Sequence, residues 1–279
     1  GPVAGPAADG LPWYSWLSGR LGVHDATGAR EPRVVLPAEG PEAGFVTAAA
    51  RRGPNGVLRI VALTDTDPAG TGPRSQLRLL FSSDGGAAWT PLSVPAGLAT
   101  GVPYNWGTSW AGIDFGGPTV RGRDPVLRLG SDVSPFLLLL ESAAGGGSGA
   151  LVAVDDDGTV RSLADYAPWD QNGGVGARLV GTSFGGDAAL VVGRLREPGA
   201  SLPVEPPRAL WKVRVTGGLE KLLDLGATVP SIEGWLTSTG AAYLEISDWS
   251  ASVPPPLLSH RGLYLLDGNG LREVAASAV

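Results

Sequence analysis

Short apolar runs recur along the chain and are cut by acidic or glycine-rich turns. Five places share one unit: an apolar run, a turn and a second short run. The units are 21–25 into 33–36, 77–81 into the segment opening at 89, 151–155 into 159–160, 211–215 into 219–225, and 263–267 into 271–274. Runs this short, bounded by Gly, Asp and Ser, predict β-hairpins rather than helices. The turns open at Asp25, Asp84, Asp155, Thr216 and Asp267, 51 to 71 residues apart, a loose internal repeat.

Ahead of four of these hairpins the pattern predicts two more strands. They are 45–50 and 57–63; 126–129 (or 119–123) and 136–140; 178–183 and 188–192; 234–238 and 242–246. Ahead of the first hairpin stands only one short run, 13–17. Four strands and then a new unit is the predicted architecture, with the first unit incomplete. The run Phe136-Leu137-Leu138-Leu139-Leu140 has no polar position. It predicts a buried strand and is far too short to span a bilayer. Gly and Pro interrupt nearly every window long enough for a helix, so the reading is all-β.

The connections fall into two classes. First-to-second and third-to-fourth connections are short, as at 52–56, 185–186, 239–240 and the acidic turns. Second-to-third connections (65–72, 142–149, 197–207, 248–259) and unit-to-unit connections (95–117, 165–176) are long. In an antiparallel meander the two long classes emerge on one side. That side is the expected binding face, because variable loops on a rigid scaffold carry most recognition.

Composition narrows the picture. Gly and Pro are abundant, at 43 and 24 residues, but 43% hydrophobic residues and nine Trp supply a core. The net charge of −6 lacks any basic stripe, so nucleic acid is not an expected partner. There is no Cys, which removes disulfides, thiolate metal sites and Cys nucleophiles. There is also no Met. Gly1-Pro2 reads as the scar of a cleaved tag, 1–17 as tag scar and N-terminal segment, and 18–279 as one domain. A processed N-terminus leads us to expect export: a secreted, periplasmic or cell-surface protein.

Candidate chemistry lies in the long connections. One holds Tyr104, Asn105, Trp106, Trp110 and Asp114. The next holds Asp165, Tyr166, Trp169, Asp170 and Asn172. Glu233 and Trp235 open the last unit, Asp248 and Trp249 follow its second strand, and Trp13, Tyr14 and Trp16 stand near the N-terminus. Aromatic surfaces with amides and carboxylates between them suit sugars, and suit protein partners equally. From this set Tyr104, Asn105, Trp106, Trp110, Asp114, Trp169, Asp170, Asn172, Glu233 and Trp249 are the expected ligand-binding residues. No cofactor is expected. The acids of Asp155-Asp156-Asp157-Gly158 and Asp65-Thr66-Asp67 match no calcium loop. His24 and His260 form no zinc motif. No nucleophile elbow, phosphate loop or dinucleotide fingerprint is present.

The segment Ser82-Ser83-Asp84-Gly85-Gly86-Ala87-Ala88-Trp89 resembles the Asp-box, Ser-x-Asp-x-Gly-x-x-Trp, of sialidase-like and sortilin-like β-propellers (the BNR repeat). The box places Asp84 as an acceptor for its own turn, a glycine at positive φ, and Trp89 as an anchor packed beneath the loop. The resemblance implies an all-β propeller of about five blades with an incomplete N-terminal blade, or a fragment of a larger propeller. The family's enzymes use an arginine triad and a Tyr/Glu nucleophile pair. Here Arg33-Val34-Val35-Leu36-Pro37 only echoes the first arginine segment, and no Tyr/Glu pair can be assigned. The expected function is therefore an exported, non-enzymatic propeller that binds a protein or glycan through its long-loop face, as part of a surface complex. The alternative is a glycoside hydrolase or lyase of sialidase-like type, which would need two carboxylates about 5–10 Å apart.

Overall fold

The computed structural model describes residues 11–15, 20–25, 28–29, 44–52, 57–65, 77–98, 113–114, 135–141, 148–167, 176–183, 187–201, 207–225, 231–250 and 257–277. Among the described residues every regular element is a strand. β1 (Leu11–Ser15), β2 (Arg20–Asp25) and β3 (Gly28–Ala29) form a three-stranded sheet. β4 (Gly44–Arg52), β5 (Leu58–Asp65), β6 (Leu77–Ser82) and β7 (Thr90–Pro91) form a four-stranded meander. β8 (Ile113–Asp114), β9 (Phe136–Glu141), β10 (Gly149–Val154) and β11 (Val160–Ala167) repeat it, as do β12 (Ala177–Thr182), β13 (Ala188–Arg196), β14 (Ala209–Arg214) and β15 (Leu219–Asp224). β16 (Ser231–Leu236), β17 (Ala242–Ser250), β18 (Leu257–Asp267) and β19 (Gly270–Ser277) form the last meander. All pairing within these sheets is antiparallel. The end of β11 also pairs with the end of β13, Asp165 opposite Arg196 and Ala167 opposite Arg194, which joins two meanders into one eight-stranded sheet.

The meanders stack face to face, and side-chain parity explains how. Phe136, Leu138 and Leu140 of β9, with Ala150, Val152 and Val154 of β10, pack on Val61, Leu79 and Phe81 of the preceding sheet. The alternate residues Leu137, Leu139, Leu151 and Ala153 pack the other way, onto Leu179, Ala189 and Val191. A third layer joins Val180, Leu190, Val192 and Leu210 to Ile232, Leu236 and Leu244 of the last meander. A strand covered on both faces has no polar position to spare, which accounts for the unbroken run 136–140. Each such buried leucine contributes about 1.5–3 kcal/mol. Tyr166 is the largest fully buried side chain. Its hydroxyl donates to the Leu140 carbonyl at 3.0 Å, so burial leaves no orphaned polar group.

Between the last two meanders the first strands run side by side. Ser183 and Leu236 form a parallel bridge. A Cβ on Gly181 would overlap the Gly234 carbonyl oxygen, so glycine is what permits this approach of two backbones.

Several sequence expectations shift. The strand beside β9 is β8 at Ile113–Asp114; the expected 119–123 and 126–129 lie outside the described residues, as does 33–36. The return strand of the first hairpin is β3, at Gly28–Ala29. Asp165 and Tyr166 belong to β11 rather than to a loop, because β13 and Leu140 supply partners for them. Trp249 likewise lies within β17. The polar stretch Ser247-Asp248-Trp249-Ser250 reads as a loop by sequence, but the eleven-residue β18 reaches back to pair Trp249 with Leu258 across a bulge.

Candidate functional site

The tight turns share one side of the stack, and cross-sheet contacts bind them together. Gly158, in the β10–β11 turn, has positive φ, and a Cβ there would meet the Phe81 ring of β6 at 2.8 Å. Arg161 holds both oxygens of Asp155 at 2.6 and 2.8 Å and donates to the Val215 carbonyl of the β14–β15 turn at 3.2 Å. The Val215 amide in turn donates to the Asp187 carbonyl of the β12–β13 turn at 2.9 Å.

Two serines lock turns on this side. Ser82 is buried at 1% exposure. Its hydroxyl donates to Asp84 Oδ1 at 2.8 Å and accepts the Gly86 amide at 2.8 Å. Asp84 Oδ1 also accepts the Ala88 amide at 2.9 Å. The Ala88 amide, then the Ser82 hydroxyl, hold the Asp84 carboxyl below its ordinary range. Gly85 and Gly86 take positive φ, as the turn requires. Trp89 is half-buried, and Phe81 is the fully buried ring here.

The second lock was invisible to the sequence pattern. Ser183 donates to Asp187 Oδ1 and accepts the Asp187 and Ala188 amides at 2.9 and 3.1 Å. The Ser183 hydrogen bond comes first among the causes that lower the Asp187 pKa. The residues repeat as Ser-x-x-x-Asp rather than Ser-x-Asp, so the only signal was a serine closing a strand before a Gly-Gly turn.

A polar cleft of about 620 Å³ opens on the same side, between β15 and the turns of the last meander. Glu220, Lys221, Thr237, Thr239, Tyr243 and Asp267 are among its walls. Tyr243 stacks on Trp235, its cross-strand neighbour, with ring centroids 5.5 Å apart and planes 21° from parallel. Trp235 is 44% exposed.

Of the expected binding residues, Tyr104, Asn105, Trp106, Trp110, Trp169, Asp170 and Asn172 lie outside the described residues. Asp114 stands on β8 and Trp249 on β17. Glu233 is half-buried on β16, directly across from Glu245 on β17. Glu233 is not among the cleft's walls. Asp165 accepts the Gly199 amide at 2.8 Å with Arg196 3.8 Å away, so it anchors the 198–200 turn. Among the described residues no group of three or more His, Cys, Asp or Glu could hold a metal ion, and no helix is long and apolar enough to cross a membrane.

No protein-family model matches the chain, and no curated protein matches it. Among solved structures, one described as "Streptogramin B lyase structure" aligns over 100% of this chain and 84% of that one, at 12% identity and a TM-score of 0.40. At that level of likeness, fold and function rest on this chain's own geometry.

Proposed function

We propose that the chain is an exported β-propeller of about five blades, the first three-stranded, that binds a protein or glycan through its long-loop face. The supporting observation is the stack of antiparallel meanders with their tight turns gathered on one side. Antiparallel topology then sends the second-to-third connections and the links between meanders to the opposite side; the 115–135 link between β8 and β9 is the exception, a long connection of the first-to-second class. On this reading Trp106, Trp110, Trp169 and Trp249 supply the apolar contacts. Tyr104, Asn105, Asp114, Asp170, Asn172 and Glu233 supply the polar ones. The test is binding to arrayed glycans and to surface proteins of the source cell. Trp106→Ala or Trp169→Ala should weaken binding by at least about 2 kcal/mol, as a hot-spot anchor does, with an unchanged melting temperature. Binding insensitive to both variants sinks the assignment.

A second reading, a glycoside hydrolase or lyase, draws on the register of Glu233 opposite Glu245. Directly opposed residues have Cβ atoms about 4.5–5.5 Å apart, within reach of the spacing of a retaining carboxylate pair, about 5–5.5 Å. Turnover of aryl glycosides that disappears in Glu233→Gln, with the fold intact, would establish it in place of the binder.

A further inference from the structure

We infer that the polar cleft on the tight-turn side is a carbohydrate subsite for a neutral pyranose oligosaccharide. It is separate from the long-loop face and stands or falls independently of it. The cleft's volume, about 620 Å³, lies within the ~300–1,000 Å³ typical of small-ligand sites.

The wall chemistry selects the ligand class. Tyr243 gives the cleft an aromatic wall, and Trp235, stacked on it and 44% exposed, extends that surface outward. Stacked rings of this kind present a flat apolar face to the C–H side of a sugar ring. Thr237 Oγ1 donates to the Ala241 carbonyl at 3.0 Å, which uses its one proton. The 2.9 Å contact between Thr237 and Thr239 is therefore donated by Thr239, whose oxygen keeps its lone pairs for an incoming hydroxyl. Glu220 adds acceptors at the opposite wall.

The same charges exclude other ligands. Lys221 is held by Asp224 at 2.9 Å, and Lys212 and Arg214 share Glu220 at 3.9 and 3.5 Å. Asp267 has Arg272 at 3.9 Å, so among the described residues each of these cations already faces a carboxylate, and a phosphate or other anion would have to compete with that carboxylate for it. Uncharged hydroxyls satisfy the free acceptor sites without that competition.

The experiment is calorimetric titration of the whole chain with cellotetraose, maltotetraose and N-acetylchitotetraose. At least one should bind saturably. Glu220→Gln and Trp235→Ala should each weaken that binding at least tenfold. Sugar binding that is lost in Trp106→Ala or Trp169→Ala but kept in Glu220→Gln and Trp235→Ala would assign it to the long-loop face and overturn this inference. Glu220 is exposed, so its variant keeps the fold, as near-UV circular dichroism would verify. The inference is overturned if none of the three sugars binds, or if binding survives both Glu220→Gln and Trp235→Ala.

Discussion

Replacing Ser82 by alanine should destabilise the protein more than replacing Asp84, the acid of the turn motif. Ser82 is buried, and its hydroxyl is what the Gly86 amide donates to. Ser82→Ala leaves that buried N–H without an acceptor and removes the bond to Asp84. One orphaned buried donor costs about 1–3 kcal/mol, so a loss of about 2 kcal/mol is expected. Asp84 is exposed, and the Ala88 amide it accepts is exposed too. Water replaces the lost acceptor, and Asp84→Ala should cost about 1 kcal/mol or less. The two substitutions share the Ser82–Asp84 bond, so the double variant should fall short of the sum by about 0.5–1 kcal/mol. Urea unfolding at pH 7, followed by tryptophan fluorescence with a constant m-value, measures all three. Ser183→Ala is the parallel case, with two amides to orphan. The reasoning fails if Asp84→Ala costs as much as Ser82→Ala, or if the two losses simply add.

Three further outcomes are expected. Tyr166→Phe keeps the packed ring but strips the donor from the Leu140 carbonyl; equilibrium unfolding should register a loss of about 1–2 kcal/mol, and a neutral result would disprove that bond. Gly181→Ala drives a methyl into the Gly234 backbone and should cost more than about 3 kcal/mol, seen as lost soluble yield, whereas Gly268→Ala, with open space around it, should stay within about 0.5 kcal/mol of the parent. Asp84 and Asp187 both have pKa values below the ordinary range in the folded state. Their stabilisation is present above about pH 3.9 and is lost as pH falls through the folded values; acid unfolding of Asp84→Asn and Asp187→Asn should show a shallower dependence in that window than the parent, and equal slopes would contradict the assignment.

The local units are written in the chain. Hairpins at 82–90, 155–159, 215–218 and 267–270 were legible because each is closed by residues a few positions apart, with Gly and Asp supplying the backbone freedom and acceptors the turn needs. The burial of 136–140 was legible because no polar residue interrupts the run, whereas cover on both of its faces comes from the sheets on either side. Tertiary structure decided what depends on residues distant in the chain. Asp165, Tyr166 and Trp249 became strand because β13, Leu140 and β18 offered partners that no local window contains. Glycine at 181 is explained only by the backbone of residue 234, and the buried Ser183 lock only by the turn that closes around it. The cleft draws its walls from 220–222, 237–243 and 265–268, three segments that meet only when the last two meanders stack. Turn chemistry is written within a few residues, whereas sheet stacking is decided by which faces find apolar cover, and that choice is made between segments.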